Sequence, residues 1–300
     1  MNKTLITIVG PTGIGKTALS IAFAKAYKTQ IISCDSRQFY KEMSIGTAVP
    51  NKDELNAAPH HFIQSKSIHE RFTVGDFEKE GIALLAALFT DHDVVIMVGG
   101  SALYERAITH GLDDFPEVPE GLKLQLQVSY EQHGLSWLQE ELLRIDPEYY
   151  ETVDINNAHR LLRAVSAITA SGNKFSQIRT ATAKQRLFKV IKIGLEAPRE
   201  ELYERINQRV EHMVANGLLE EVKNLEPHKD LNALQTVGYR EFYNASTNNQ
   251  TVESAVALVK QNTRRFAKRQ ITWYRKDTDV TWFYYKTCPN AIVEQVRELL

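Results

Sequence analysis

The chain has 300 residues, 43% of them apolar and 24% charged, with a formal net charge of −1. That length suits one large domain or a core carrying a smaller inserted module, and the composition excludes a disordered, collagenous or coiled-coil chain. No apolar run approaches the roughly 18 residues that span a bilayer, and the near-neutral balance excludes a protein that is basic all over while leaving room for local basic patches. Two cysteines, Cys34 and Cys288, cannot make a zinc site alone and predict no disulfide framework. Met1-Asn2-Lys3-Thr4 leads directly into a strand-like run with no signal-like stretch, so a cytoplasmic location is expected.

The first run, Leu5-Ile6-Thr7-Ile8-Val9, is β-branched and apolar and reads as a buried strand. Gly10-Pro11-Thr12-Gly13-Ile14-Gly15-Lys16-Thr17 follows at once and fits G-x-x-x-x-G-K-[ST], the phosphate-binding P-loop. Residues 18–26 then read as a helix. The glycines let the backbone curl so that successive N–H groups form an anion nest, and the helix N-terminus adds the positive end of its dipole. Lys16 supplies a point charge, and the Thr17 hydroxyl is placed to ligate Mg²⁺. The motif does not choose between ATP, GTP and other diphosphates.

Gln30–Cys34 reads as a second strand, with Asp35-Ser36 at its carboxyl end, the edge where open α/β sheets bind ligands. Asp35 suits a general base or a partner for water bound to Mg²⁺; a turn or helix-capping Asp is the plainer reading. A third strand, Asp93–Val98, ends in Gly99-Gly100-Ser101, with no carboxylate of the kind an ATPase uses to hold Mg²⁺ or water. The glycine pair allows close approach of a ligand or simply a tight strand-to-helix turn.

Between Asp113 and Arg186 strand-like runs vanish. Leu122–Tyr130, Trp137–Leu143 and a helix from Asn156 or Asn157, with Leu161, Leu162, Val165 and Ile168 inward and Gly172 past its end, are all amphipathic. Strand character returns at Phe188–Leu195, completing the sheet. A helix is expected over about Arg199–Leu225, with Leu202, Ile206, Val210, Met213 and Val214 on its apolar face and Arg205, Arg209 and His212 beside it. From Val259 to Lys276 come Lys260, Arg264, Arg265, Lys268, Arg269, Arg275 and Lys276 with no acid, interleaved with Phe266, Trp273 and Tyr274. A solvated helix face normally mixes both signs, so this stretch reads as a contact for a nucleic-acid backbone.

Several of these motifs together resemble the tRNA dimethylallyltransferases, also called tRNA isopentenyltransferases. They are the P-loop, Asp35-Ser36-Arg37-Gln38-Phe39-Tyr40, Ile45-Gly46-Thr47-Ala48 with Pro50, and Val98-Gly99-Gly100-Ser101-Ala102-Leu103-Tyr104. Further along come Asn157–Ala164, Arg209-Val210 with Met213, Gly217-Leu218 with Glu221-Val222, Thr236–Glu241, and Thr263–Gln270 with Thr272-Trp273. The match runs nearly end to end, and the order and spacing of the motifs are more specific than any one after the P-loop.

The resemblance implies a P-loop NTPase-like α/β core, a parallel sheet flanked by helices, at 1–113 and 187–300. A small all-helical insertion at 114–186 would grip the anticodon stem. It implies that the exocyclic amine of an adenosine beside the anticodon attacks dimethylallyl diphosphate and releases diphosphate, with Mg²⁺ as cofactor. Asp35 then matches the base, Thr12 a residue near the bridging oxygen, and Arg209 the cation that closes over the leaving group. The P-loop residues grip the prenyl diphosphate. The tRNA anticodon stem-loop would meet Asp35, Ser36, Arg37, Gln38, Ser101, His159, Arg160, Arg163, Gly238, Tyr239, Arg240, Arg264, Lys268 and Arg269. Ser101 stands where the family more often has Thr, and His159 where it more often has Gln. A monomer is expected because no unassigned apolar stripe remains.

Two other readings compete. A small-molecule or nucleoside kinase on the same loop would explain Asp35 but not the acid-free basic stretch. A non-catalytic RNA-binding module with a degenerate P-loop sits poorly with intact Lys16 and Thr17.

Overall fold

The computed structural model describes residues 3–180 and 182–300. The chain divides into two compact units, Met1–Thr109 with Gln185–Leu300, and His110–Lys184. The second unit stands against the 114–186 expected for the helical insertion.

The first unit opens with β1 (Thr4–Val9), α1 (Lys16–Tyr27) and β2 (Ile31–Ser33). It continues through α2 (Lys52–Ala57), β3 (His60–His61), α3 (Val74–Asp91), β4 (Val94–Val98) and α4 (Ala102–Thr109). The second unit holds α5 (Glu120–Ile145), α6 (Pro147–Tyr150), α7 (Ala158–Ser171) and α8 (Phe175–Ile178). The first unit resumes with β5 (Lys189–Glu196), α9 (Arg199–Ala215), α10 (Leu218–Leu225), α11 (Arg240–Thr247), α12 (Val252–Tyr274), β6 (Val280–Tyr284) and α13 (Pro289–Arg297).

The six strands form one parallel sheet in the order β3-β2-β4-β1-β5-β6. β1, β2 and β4 are buried along their whole length, which is why they read as continuous apolar runs rather than alternating ones. One face packs Ile6, Ile8, Ile96 and Ile193 with Phe23 of α1 and Ile206 of α9; the other packs Leu5, Ile32, Val95 and Met97 with Phe77 and Leu85 of α3. Burying each such side chain contributes roughly 1.5–3 kcal/mol. The parallel order brings the carboxyl ends of β1, β2 and β4, and with them the P-loop, Asp35 and Gly99-Gly100, to one edge.

Three expectations are corrected. The sheet does not end at β5: β6 adds an outer parallel strand, and the two-residue β3 closes the other side. The helix expected over Arg199–Leu225 is two helices, because Gly217 takes a left-handed conformation (φ 98°) that breaks the run. Leu122–Tyr130 and Trp137–Leu143 lie in the two helical segments of α5, which the non-helical Gly134 (φ 75°, ψ −167°) separates. Tyr274, one of the aromatics interleaved with the cations of the stretch expected to contact a nucleic-acid backbone, is buried in the core.

β5 also carries a buried charge. Lys192 pairs with Asp277 at 2.5 Å and with Glu105 at 3.6 Å, fastening α4 and the turn after α12 to the sheet. Burial pushes the Glu105 carboxyl up, with Lys192 opposing. An ion buried this deeply is tolerated because it is paired.

In the second unit, Leu126, Leu138 and Leu142 of α5 pack on Leu161, Val165 and Ile168 of α7. Asn157 caps α7, its side chain accepting the Arg160 N–H, and Gly172 ends the helix at φ 74°. Asp146 is fully buried and accepts from the backbone of Tyr149 and from both the backbone and hydroxyl of Ser176.

Candidate active site

The P-loop curls as its glycines require. Gly10, Gly13 and Gly15 all have positive φ, at 135°, 78° and 109°. A Cβ on Gly10 would sit 2.8 Å from the Leu195 carbonyl of β5, so backbone proximity adds to the conformational demand. Lys16 Nζ donates to the carbonyls of Gly10 and Pro11 at 3.0 and 2.8 Å. Burial lowers its pKa to about 8, against the favourable pull of Asp35 and with further lowering by Arg209. From α9, Arg205 Nε donates to the Gly13 carbonyl at 2.9 Å, and its guanidinium lies over the Tyr285 ring at 4.8 Å.

Two cavities open at this sheet edge. The larger, about 880 Å³, is lined by the P-loop residues Thr12, Gly13, Gly15, Lys16 and Thr17, with Arg205 and Gln208 of α9 and the loop around Val49 and Pro50. The smaller, about 450 Å³, is lined by Ser36, Ser101, Gly238 and the α12 residues Phe266, Arg269 and Trp273. Thr12, Asp35, Arg209 and Met213 line both. The cavities therefore meet at the three residues singled out for the chemistry. Arg209 makes no hydrogen bond or ion pair among the described residues. Burial lowers its pKa while Asp35 raises it, so Asp35 supports the charge.

Asp35 follows β2, and its Oδ1 accepts the Arg37 N–H at 3.2 Å in a turn. Beside it the Ser101 hydroxyl accepts the Ser36 N–H and pairs with the Ser36 hydroxyl, both at 3.0 Å. The glycine pair before Ser101 makes room for protein. A Cβ on Gly99 would lie 2.5 Å from Cys34 Sγ and 2.8 Å from the Asp35 nitrogen, and one on Gly100 would collide with the Gln270 amide. Neither glycine has a positive φ, so space and not conformation is what they provide.

The remaining predicted residues separate by location. Arg37 Nη1 donates to the Asn232 and Ala233 carbonyls at 2.9 and 3.1 Å. Gln38 donates to Thr47 and Ala48 carbonyls and lines the larger, phosphate-side cavity alone. Tyr239 is 0% exposed, and its hydroxyl donates to Glu221, so its side chain is a structural prop and not an RNA contact; the expectation is corrected by its burial. Arg240, Lys268 and Arg269 are exposed, whereas Arg264 is half-buried and donates to Asn207 of α9 at 2.7 Å. In the second unit His159 and Arg160 are exposed, and the Arg163 guanidinium lies 4.4 Å from the Phe115 ring centre.

Two residues that the sequence reading left out of the site organise it. Glu221 of α10 accepts the backbone N–H groups of Ser44, Ile45 and Gly46 at 3.0, 2.8 and 2.9 Å. Gln270 of α12 accepts the Thr12 N–H at 2.9 Å and donates to the Gly100 carbonyl at 2.8 Å. Both stand inside quoted motifs, but nothing in a sequence names partners so far away.

Comparison with known proteins bears directly on this arrangement. The family model for IPP transferase matches residues 38–277. A tRNA dimethylallyltransferase of Christiangramia forsetii is 53% identical over 99% of this chain and 98% of its own length. One of Flavobacterium johnsoniae is 49% identical, with the same coverage. Among solved structures, the tRNA isopentenylpyrophosphate transferase of Bacillus halodurans superposes with a TM-score of 0.72 at 33% identity, covering 99% of this chain and 95% of that one. A eukaryotic dimethylallyltransferase acting on tRNA superposes with a TM-score of 0.81 at 25% identity, covering 95% and 74%. The chain belongs to the IPP transferase family, whose members include the tRNA dimethylallyltransferases.

Proposed function

We propose that this chain transfers the dimethylallyl group of dimethylallyl diphosphate to the N6 amine of the adenosine 3′-adjacent to the anticodon of tRNA, releasing diphosphate. The observation that carries the reading is the meeting of the two cavities at Thr12, Asp35 and Arg209. A chamber lined by the P-loop and an aromatic, arginine-bearing chamber open onto one carboxylate and one guanidinium. Two substrates entering from opposite sides would touch there.

Each residue then has a chemical task. The amine is a weak nucleophile, and Asp35 takes its proton as the new C–N bond forms. The allylic C–O bond breaks, and negative charge grows on the diphosphate. The P-loop amides, Lys16 and Arg209, which line the larger cavity with Thr12, would stabilise the growing charge. The target base would leave its stack to reach the junction, with Phe266 and Trp273 offering ring faces in the smaller cavity.

The donor set suits Mg²⁺. The Thr17 hydroxyl and the Asp35 carboxylate line one cavity, both hard oxygen donors. The described residues contain no cluster of three or more His, Cys, Asp or Glu side chains able to hold an ion without the diphosphate's oxygens. Thr17 would hold the ion directly, and Mg²⁺ would neutralise the leaving diphosphate when bound.

The helical unit would hold the anticodon stem through His159, Arg160 and Arg163 on α7, and the exposed Arg240, Lys268 and Arg269 of the first unit would meet RNA phosphates, while Arg264, bonded to Asn207, braces α9. The chain would act as a monomer, in the cytoplasm where tRNA is processed. Among the described residues no helix is long and apolar enough to cross a membrane.

The decisive assay incubates the protein with labelled dimethylallyl diphosphate and unmodified tRNA. Label enters tRNA only when an adenosine stands beside the anticodon. Turnover of ATP with no label in tRNA would overturn the reading in favour of a kinase.

A further inference from the structure

One face of α12 carries Phe266, Arg269, Gln270 and Trp273, spaced as i, i+3, i+4 and i+7, and all four line the smaller cavity. Phe266 and Trp273 are exposed, at 37% and 43%, and Arg269 is exposed with its guanidinium 5.7 Å from the Phe266 ring centre. Gln270, between them, is 5% exposed and turns inward.

Its amide makes two bonds to backbone. Oε1 accepts the N–H of Thr12 in the P-loop, and Nε2 donates to the carbonyl of Gly100 beyond β4. The next residue, Ser101, holds Ser36 by two contacts at 3.0 Å, and Ser36 adjoins Asp35. A single amide therefore ties the loop that grips diphosphate to the segment that carries the base, and does so from the helix whose outer face is turned toward the RNA side. Gly100 has no Cβ because this amide occupies the space. Buried amides with both ends satisfied fix geometry tightly, since either backbone partner left unpaired is costly.

We infer that Gln270 is a positioning residue through which RNA on α12 and diphosphate in the P-loop raise each other's affinity. RNA seated against Phe266 and Trp273 fixes α12; the amide then fixes the Thr12 N–H and the Gly100–Ser101–Ser36 chain relative to each other. The P-loop, already bonded to this amide, is thereby held more firmly for diphosphate when the nucleophile's side is filled. Coupling of this kind is reciprocal, so diphosphate tightens RNA by the same factor. The inference rests on the function proposed above.

Inorganic diphosphate with Mg²⁺, which cannot react, and an unmodified anticodon stem-loop RNA serve as equilibrium probes of the full chain. In the unsubstituted protein each ligand tightens the other by roughly tenfold. Gln270→Leu loses both bonds, and Gln270→Glu keeps an acceptor for Thr12 but faces the Gly100 carbonyl without a proton. In both variants the mutual effect falls below about threefold while each ligand alone binds within about threefold of normal, so that at saturating RNA the KM for dimethylallyl diphosphate rises about threefold or more and turnover at low prenyl diphosphate falls with it. If Gln270→Leu does not fold, Gln270→Glu, equal in size and still polar, carries the test. The inference is overturned if the unsubstituted protein shows no mutual effect, if the variants retain it, or if RNA binding alone falls as far as turnover. Absence of prenyl transfer by the unsubstituted protein would instead overturn the proposed function.

Discussion

The Tyr239 hydroxyl donates to Glu221 Oε1 at 2.6 Å, and that same carboxylate takes three consecutive backbone N–H groups from residues 44–46. The segment it suspends is the wall between the two cavities. Ser44, Ile45 and Ala48 line the phosphate side, while Gly46 and Thr47 line the other. Burial and the Glu221 charge push the Tyr239 hydroxyl far up, so it remains a donor across the working pH range.

That suspension predicts two stability effects. Tyr239→Phe removes one of four donors to a carboxylate and is expected to cost about 1–2 kcal/mol. In Gly46→Ala the new Cβ lies 2.5–2.6 Å from the Tyr239 ring and hydroxyl, so the wall must shift, at about 1–3 kcal/mol. Denaturant midpoints measure both. Gly46→Ala should also slow prenyl transfer more than its stability loss accounts for; normal turnover would show that the wall's position is unimportant.

Lys16 predicts opposite pH responses for binding and stability. Its pKa is lowered from 10.5 to about 8, chiefly by burial. Below pH 8 the ammonium is charged and diphosphate affinity carries no Lys16 dependence. Above it the free protein must take up a proton to bind, and affinity falls by up to about tenfold per pH unit. The unfolded chain holds that proton more tightly than the folded one, so the Lys16 contribution to stability rises as pH climbs from about 8 to 10.5. Titrating inorganic diphosphate between pH 7 and 9.5 reads the first effect. Lys16→Arg, which stays charged, should flatten the curve; an unchanged curve would assign the step to another group.

Asp35→Asn keeps an acceptor for the Arg37 N–H and removes only the negative charge. The expected result is a single-turnover rate lower by about 10²–10⁴, with RNA affinity within a few-fold of normal. A comparable loss of RNA binding would make Asp35 chiefly a recognition residue. Because the Asp35 charge also supports those of Lys16 and Arg209, some loss of diphosphate affinity should accompany the rate effect.

What was legible in the sequence was local. Residues 10–17 carry their chemistry in eight consecutive positions, and Asp35 could be placed because β2 ends two residues before it. β6 was missed because Val280–Tyr284 lies at the sheet edge with only Val280 buried, so it lacks the unbroken apolar run that marks β1 and β4. Gly217 was visible as a helix breaker but stood inside an unbroken apolar periodicity. The partners of Gln270 lie 258 and 170 residues away, and those of Glu221 up to 177. Periodicity says which side of a helix is buried, not what a buried amide or carboxylate will meet. Charge counting failed likewise on α12, where it could not tell a partnered arginine from a free one.

That distinction yields the last prediction. Seven cations were counted between residues 259 and 276, but Lys260 pairs with Glu211 at 2.6 Å, Arg275 pairs with Glu196, and Arg264 is bonded to Asn207. Asn207 sits on α9 two residues before Arg209, so Arg264 braces the helix that supplies the closing cation. Lys268→Ala should weaken RNA binding and lower the slope of log affinity against log salt by about 0.7–0.9, the loss of one phosphate contact. Arg264→Ala should leave that slope nearly unchanged and lower turnover and stability instead. Equal reductions of the salt slope in the two variants would place both side chains on the RNA and remove the bracing role. A slope change for Arg264 alone would reverse the assignment drawn from its bond to Asn207.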